Sequence, residues 1–331
     1  MSGKVALITG ASSGIGLALA ERVLTAHPGI HLCLACRNQR RGEAAVATLK
    51  LSHPGAEIDL VLVDVSRVSS VQQAVVEIKM RYQRLDYLFL NAGVMGETRV
   101  NWTNFWKGLF SENVFHMFHT GIGLLEHKDQ VTEEGLQMVF ATNIFGHFVM
   151  IKELEDILGG SQPTQVIWSS SSNACKDTFS FDDIQHRRGT SAYSSSKYAT
   201  DMLSLALNKT LNKKNIYSHV TNPGIVMSNM THGIMPSWFW TLAMPILFLL
   251  RFFICSATID TYSGSESLVW VSQQDPKSLD STFKYHSSVT GFGKLYTTPK
   301  KLTDLDEESS LRLLEQLEQL NETVQRKLKS Q

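Results

Sequence analysis

Short apolar runs alternate along this chain with longer stretches in which apolar residues recur every three or four positions. Runs of the first kind are typical of buried strands, and stretches of the second kind are typical of amphipathic helices. The predicted strands are residues 4–9, 30–36, 58–63, 87–90, 166–168, 216–221 and a last one near 283–285. The predicted helices are residues 15–24, 41–53, 68–82, 131–158 with Thr132 as its N-cap, and one that begins at residue 193. This order predicts an α/β fold, a doubly wound and mostly parallel sheet of about seven strands with helices on both faces.

Residues 97–130 interrupt this alternation with an insert that is unusually rich in aromatic side chains. It contains Trp102, Phe105, Trp106, Leu109, Phe110, Phe115, Met117 and Phe118. A solvated loop would be polar, so the insert is either a wall for a large apolar substrate, a surface that contacts lipid or another subunit, or an extra patch of core.

A second apolar segment covers residues 234–254. Its first part, residues 234–250, carries no formal charge, and Arg251 then interrupts it. A membrane-spanning helix needs about 20 apolar residues, and Pro236 and Pro245 weaken a regular helix. A transmembrane helix, a helix that dips into one leaflet and an apolar lid on the protein all remain open, and we expect membrane attachment.

The chain ends in a pattern that predicts an amphipathic helix over residues 305–329. Leucines recur at positions 313, 317, 320 and 328 among charges of both signs. This helix either covers the core or pairs with a second subunit, so a homodimer is possible.

Composition narrows the class of protein. The 331 residues contain 31 basic and 31 acidic side chains with no basic block, which gives a nucleic-acid partner no electrostatic support. Of the four cysteines, Cys33 and Cys36 lie three apart inside an apolar strand and therefore point to opposite faces. We interpret them as core residues in a reducing compartment and expect residues 1–331 to form one domain without a metal site.

Tyr193 and Lys197 are the first candidates for chemistry. They lie four positions apart at the start of a helical pattern, so the phenol and the ammonium share one face of the helix. A nearby cation favours the phenolate, which makes the tyrosine a better proton donor and acceptor near neutral pH.

A glycine-rich turn joins the first strand to the first helix. The sequence Gly10-x-x-x-Gly14-x-Gly16 follows the strand directly. Glycines in such a turn let the backbone approach a pyrophosphate, whose charge is met by the amides at the helix N-terminus. The turn therefore indicates a dinucleotide site.

These motifs occur together in one family. The combination of Thr9-Gly10-x-x-x-Gly14-x-Gly16, Asn91-Ala92-Gly93, Asn143, a serine run at 169–172 and Tyr193-x-x-x-Lys197 resembles the short-chain dehydrogenase/reductase family, over about residues 4–290. The resemblance implies a Rossmann-type fold and a nicotinamide cofactor. Residues 31–38, 142–148, 193–201 and 290–293 are similar to the steroid and sterol reductases of this family.

The cofactor is expected to be NADPH. Arg37 ends the second strand, where an arginine suits a 2′-phosphate and an acidic residue would suit a free ribose hydroxyl. With the motifs, the resemblance implies cofactor contacts from Thr9, Gly10, Ser12, Ser13, Gly14, Ile15, Gly16, Arg37, Asn38, Asp64, Val65, Asn91, Ala92, Gly93, Tyr193, Lys197, Pro223, Gly224 and Val226.

The resemblance also implies the catalytic residues. Tyr193 donates the proton, Lys197 lowers its pKa and holds the cofactor ribose, and Asn143 anchors a proton-relay water. Aligning the strand at 166–168 and the serines after it with the family pattern makes Ser171 the catalytic serine, with Ser170 or Ser172 as alternatives. Tyr193 and Ser171 would contact the substrate.

The expected activity is reduction of a sterol or steroid ketone. The resemblance implies reduction of the 3-keto group of sterol-biosynthesis intermediates, and of oestrone to oestradiol at position 17. A retinal or other lipid carbonyl reductase and a non-catalytic NADPH-binding scaffold are the alternatives. We expect attachment to the endoplasmic reticulum membrane, with the catalytic domain facing the cytosol.

Overall fold

The computed structural model describes residues 3–100, 125–227, 245, 248, 251, 252 and 255–330. Its strands are β1 (Val5–Thr9), β2 (His31–Cys36), β3 (Ile58–Leu62), β4 (Tyr87–Leu90), β5 (Glu97–Val100), β6 (Leu125–Lys128), β7 (Thr164–Ser169), β8 (Ile216–Asn222), β9 (Phe283–Val289) and β10 (Leu295–Lys301). Its longer helices are α1 (Gly14–Ala26), α2 (Gln39–Ser52), α3 (Val68–Arg81), α4 (Gly146–Leu154), α5 (Ala192–Leu211), α6 (Glu266–Gln273) and α7 (Glu307–Lys329).

Eight of these strands form one sheet in the order β10-β9-β8-β7-β4-β1-β2-β3. All neighbouring pairs are parallel except β9 and β10, which are antiparallel. The α/β, doubly wound and mostly parallel sheet is therefore confirmed, with one strand more than the seven expected. The extra strand is the edge strand β10, whose Pro299 and lysines lack the apolar pattern of a buried strand.

The sheet separates two apolar cores, one on each face. Alternation along β1 sends Leu7 to one core and Ile8 to the other. Cys33 and Cys36 divide between the two cores in the same way and are both buried and free, as their spacing predicted. Burial raises the pKa of the Cys33 thiol to about 12, so this cysteine is an apolar core residue.

The single helix predicted for residues 131–158 is wrong at its start. Val131 bridges Gln137, and Thr132 closes a turn by bonding the amide of Leu136 instead of capping a helix. The helix begins at Met138–Phe140, passes through a π-helical turn at Ala141–Phe145 and continues as α4. Glu134 in the preceding turn accepts hydrogen bonds from the first amides of α3, a contact between distant parts of the chain that a local pattern does not reveal.

The C-terminal helix was expected at residues 305–329 and is found as α7, with Asp306 capping its N-terminus. Leu313, Leu317 and Val324 are buried and join the larger of the two cores. Helix α7 packs on α5, so its apolar stripe is used within the chain. Of the two roles expected for this helix, covering the core or pairing with a second subunit, the structure shows the first.

Most of the two apolar inserts lies outside the described residues. The aromatic insert contributes a two-stranded ribbon at its base, β5 paired with β6, and its residues 101–124 are not described. Of the segment 234–254, only 245, 248, 251 and 252 are described. Among the helices that the structure describes, none has the length and the apolar character needed to cross a membrane.

Candidate active site

The predicted site residues converge on the carboxyl edge of the sheet. Strands β1, β4, β7 and β8 are neighbours and parallel, so the loops after Thr9, Leu90, Ser169 and Asn222 lie side by side. An open α/β sheet binds its ligands at this edge. A cleft of about 300 Å³ runs along it, from Arg37 at one end to Tyr193 and Lys197 at the other.

The glycine turn forms the floor of this cleft. Gly10 has φ of +69°, and a side chain on Gly16 would come within 2.3 Å of the Gly10 carbonyl oxygen. Glycine is therefore required at both positions, at the first by conformation and at the second by the close approach of two backbones. The amides that begin α1 face the cleft without a side-chain cap from Ser13 and without an acidic residue in the first turn.

Thr9 lies beneath the cleft rather than in its wall. It is fully buried, and its hydroxyl oxygen accepts hydrogen bonds from the amides of Asn91 and Ala92 at 3.0 and 3.1 Å. It also shares a 3.0 Å hydrogen bond with His147. Thr9 thus ties the glycine turn to the Asn91-Ala92-Gly93 turn and is not part of the cleft wall, whereas a direct contact with the cofactor was predicted for it.

The far end of the cleft carries two arginines. Arg37 and Arg41 line it together with Asn38, Asp64 and Val65. Asn38 also caps α2 by accepting a hydrogen bond from the Arg41 amide at 2.9 Å. Arg41 was not predicted from the sequence as a site residue, although it lies in the first turn of the helix that begins just after Arg37.

Tyr193 and Lys197 lie at the opposite end, on the first turns of α5. The Lys197 Nζ is 5.6 Å from the centre of the Tyr193 ring and donates a 2.7 Å hydrogen bond to the Ser169 carbonyl oxygen. Burial lowers the pKa of Lys197 to about 8; Asp201 partly opposes this shift, and Lys284 adds to it. Burial raises the pKa of the Tyr193 phenol, and the Ser171 hydroxyl acts in the opposite direction.

The serine run presents Ser171 to the phenol. Ser171 is the serine whose hydroxyl interacts with Tyr193, whereas Ser170 is buried and donates a 2.6 Å hydrogen bond to Asp201. Ser170 lines the cleft, but its hydroxyl proton is engaged by Asp201. These contacts fit Ser171 better than Ser170, and Ser171 stays the predicted catalytic serine, with Ser172 as the other alternative.

Asn143 lies in the π-helical turn, behind Gly93. Its side-chain amide donates to the Val94 carbonyl at 3.0 Å and to Ser196 at 2.9 Å, and its oxygen accepts from the Val94 amide at 2.8 Å. Turns of π-helix occur frequently at functional sites, because the extra residue changes the direction of one side chain. A side chain on Gly93 would lie 3.2 Å from Asn143 and 3.7 Å from the Lys197 Nζ, so these two groups face the same small space.

The loop after β8 closes the site from the side. Pro223 lines the cleft beside Tyr193. Gly224 has φ of +78° and lies against Ser256, and Val226 is bridged to Ile259. Gly224 and Val226 therefore shape the loop. Apart from these two and Thr9, every predicted cofactor-binding residue lines the cleft, whereas Asn143 and Ser171 are not part of its wall.

Comparison with known proteins identifies the family. The model of the short-chain dehydrogenase family matches residues 4–129 and 120–237. A 3-keto-steroid reductase/17-beta-hydroxysteroid dehydrogenase 7 from Rattus norvegicus is 50% identical over 97% of this chain and 96% of its own length. A 3-keto-steroid reductase from Schizosaccharomyces pombe is 31% identical over 90% of this chain and 91% of its own.

Solved structures agree on the fold. A short-chain dehydrogenase from Burkholderia cenocepacia, determined in complex with NADP, superposes with a TM-score of 0.60 at 19% identity. The match covers 88% of this chain and 97% of that one.

Proposed function

The chain belongs to the short-chain dehydrogenase family and is an oxidoreductase, and from that premise we propose that it reduces the ketone of a sterol or steroid with NADPH. The observation that carries the proposal is the placement of Tyr193 and Lys197 at one end of a cleft whose other end holds Arg37. The Ser171 hydroxyl interacts with the Tyr193 phenol there. The names of the relatives supply the substrate class.

The cleft suits a dinucleotide along its whole length. The uncapped amides of α1 provide donors for a pyrophosphate, and the close approach of Gly16 to Gly10 leaves the backbone open to it. Arg37 and Arg41 would meet a 2′-phosphate, which is why we propose NADPH over NADH. Lys197 would hold the ribose next to the nicotinamide.

Tyr193 is the proposed proton donor. A bound reduced nicotinamide supplies the hydride, and Tyr193 gives its phenolic proton to the substrate oxygen as negative charge develops there. Ser171 donates a second hydrogen bond to the same oxygen. The Lys197 ammonium stabilises the phenolate that remains, and Asn143, bonded to Val94 and Ser196, would hold the water that returns a proton through Lys197.

A 3-keto group is the preferred target within the steroid class. The rat relative carries both a 3-keto and a 17-beta name, whereas the yeast relative carries the 3-keto name alone. The activity shared by the two names is therefore proposed as the main one, with oestrone as a second substrate. Sterol ketones of this kind are intermediates of sterol biosynthesis.

We also propose that the enzyme is attached to the endoplasmic reticulum membrane, with its catalytic domain in the cytosol. The uncharged stretch at 234–250 contains Phe248, and Phe252 follows shortly after it; both side chains are exposed. Phe252 stacks edge-on against Phe292, which is 96% exposed at the turn between β9 and β10. Exposed aromatic side chains from two separate segments are better suited to lipid than to water.

Turnover in detergent tests the function. NADPH oxidation should be observed with 3-keto sterols, more weakly with oestrone, and should be lost in Tyr193→Phe, by about 10²- to 10⁴-fold in kcat. Tyr198→Phe is the matched control, because Tyr198 is on the same helix with its hydroxyl bonded to Asp304 instead of facing the cleft. Turnover of retinal alone would move the substrate to another lipid carbonyl, and NADPH binding without turnover of any ketone would favour a scaffold.

A further inference from the structure

A buried ion pair lies behind the serine turn, which consists of Ser169, Ser170 and Ser171. The Lys284 Nζ on β9 is 2.6 Å from the Asp201 Oδ2 on α5, and the two side chains are 6% and 2% exposed. Replacing a buried ion pair with apolar side chains is often neutral or stabilising, so such a pair contributes little net stability to a fold. Its position next to the reacting groups suggests another role.

The pair is part of a set of contacts with three consecutive serines. Lys197 donates to the Ser169 carbonyl at 2.7 Å, and Ser170 donates its hydroxyl proton to the Asp201 Oδ1 at 2.6 Å. Lys284 then donates to the Ser171 carbonyl at 2.8 Å. Each of these three serines is therefore held at one point by a charged side chain.

The contact with Ser171 occurs where the sheet ends. Strand β7 stops at Ser169, and the Ser170 amide makes the last hydrogen bond to β8, at the Thr221 carbonyl. Beyond that bond the backbone direction depends on other contacts. The Lys284 hydrogen bond restrains the carbonyl of Ser171, which also accepts a longer bond from the Ala174 amide at 3.4 Å. The Ser171 hydroxyl oxygen accepts from the Asn173 amide at 3.1 Å, so the lysine and this amide together orient the hydroxyl that faces Tyr193.

We propose that Lys284 is a positioning residue, which is held by Asp201 and fixes Ser171 against Tyr193. The inference deepens the proposed function, because it concerns how that site holds its second hydrogen-bond donor. Lys284 does not contact the substrate in this arrangement. Its effect on the reaction passes through Ser171.

The charge of the pair supports this arrangement. Asp201 raises the pKa of the buried Lys197 and Lys284 lowers it, so the two charges partly cancel at the ammonium. The Asp201 carboxylate therefore opposes the effect that the Lys284 charge has on the Lys197 ammonium.

A double-mutant cycle with Ser171 tests the proposal. Lys284→Met alone should lower kcat by about tenfold or more, with the KM for NADPH changed by less than about threefold. In the Ser171→Ala background the same change should alter kcat by less than about twofold, because the serine through which it acts is gone. If the two losses multiply, Lys284 acts independently of Ser171 and the proposal is overturned.

Controls separate positioning from folding. Lys300→Met removes an exposed lysine directly opposite Lys284 in the β9–β10 ladder and should leave kcat unchanged. Lys284→Arg keeps the charge and should recover most of the activity. If Lys284→Met does not fold, the double variant Asp201→Leu/Lys284→Met removes both charges together and should fold. Its kcat should still be about tenfold lower than that of the wild type. A wild-type kcat in this double variant would overturn the proposal.

A second readout requires no ketone. The apparent pKa of the Tyr193 phenol can be followed by phenolate absorbance, with Tyr193→Phe subtracted. Ser171→Ala and Lys284→Met should each raise it, and the double variant should raise it no further than Ser171→Ala. If no ketone is reduced but the phenol pKa shifts follow this pattern, the proposed function fails and the positioning role of Lys284 stands. If the shifts of the two single variants add up in the double variant, the positioning role is overturned, whether or not a ketone is reduced.

Discussion

The ammonium of Lys197 lies over the ring of Tyr193, with its Nζ 5.6 Å from the ring centre. The hydrogen bond of the same ammonium goes to the Ser169 carbonyl at 2.7 Å. The lysine therefore acts on the phenol through its charge, in a position where it is only 5% exposed and solvent screening is weak. Burial works against both charged forms, because it raises the pKa of Tyr193 and lowers that of Lys197.

The reaction should lose rate as pH rises through the pKa of Lys197. This pKa is lowered from 10.5 to about 8, so the cation is half lost near pH 8 instead of above pH 10. The profile of kcat/KM for ketone reduction should show a falling alkaline limb near that pH, since kcat/KM reports groups of the free enzyme.

Lys197→Arg tests the assignment of this limb. A guanidinium stays charged at every accessible pH, so whatever activity the variant retains should persist above pH 9. Lys209→Arg on the exposed end of the same helix is the control and should leave the profile unchanged. An alkaline limb at the same pH in Lys197→Arg would assign it to another group.

Several elements could be predicted because their signals are local. The strand, glycine turn and helix at residues 5–26 follow one another in sequence, and the spacing of Tyr193 and Lys197 places them on one face of α5. Ser171 was predicted by alignment with the family pattern, but a run of four serines left Ser170 and Ser172 as alternatives. The hydrogen bond from Ser170 to Asp201 engages the Ser170 hydroxyl and leaves Ser171 as the prediction that the contacts favour.

Other elements depend on contacts between distant parts of the chain. The apolar pattern at residues 131–158 continues through the turn closed by Thr132 and Leu136, so periodicity alone places the helix start too early. The π-helical turn is accompanied by bonds between Asn143 and Val94, almost fifty positions away. Lys284 appeared only as one residue of a short strand, because its partner Asp201 is on another element.

Replacing Arg37 with Asp should reverse the cofactor preference. Arg37 lines the end of the cleft where a 2′-phosphate would lie, and hydrogen bonds to a charged group contribute about 1.5 to 3 kcal/mol, or roughly ten- to a hundredfold in kcat/KM. Arg37→Asp should lose that factor with NADPH and gain with NADH.

Neighbouring arginines provide the matched comparison. Arg41→Ala, which also removes a side chain from the cleft, should weaken NADPH use in the same direction. Arg40→Ala removes an exposed arginine that is not part of the described cleft wall and should change neither cofactor. An unchanged preference for NADPH in Arg37→Asp would exclude the role proposed for Arg37.

Gly16→Ala should destabilise the protein and weaken NADPH binding together. The added methyl group would lie 2.3 Å from the Gly10 carbonyl oxygen and 2.6 Å from the Asn91 side chain, so the backbone of the turn has to move. Overpacking of this kind costs about 1 to 3 kcal/mol of unfolding free energy. Thermal unfolding with and without NADPH measures both effects.

Gly55→Ala is the control for this substitution. A side chain at Gly55 would meet no heavy atom within 4 Å, so the melting temperature and the NADPH-dependent shift should both match the wild type. Wild-type NADPH binding by Gly16→Ala would show that the turn tolerates the methyl group, against the close approach described above.

Removing the exposed aromatic pair should release the protein from membranes. Phe252 and Phe292 are 57% and 96% exposed and contact each other edge to face, with ring centres 5.7 Å apart. Burying a phenylalanine side chain contributes about 1.5 to 3 kcal/mol, so Phe252→Ser/Phe292→Ser should lower the partition onto phosphatidylcholine vesicles by tenfold or more.

The control variant is Leu51→Ser, which removes an 84% exposed leucine from the end of α2 and should leave vesicle binding unchanged. Both proteins should still reduce ketones in detergent, because neither change touches the described cleft wall. Unaltered vesicle binding by the double variant would rule out this pair as a lipid contact.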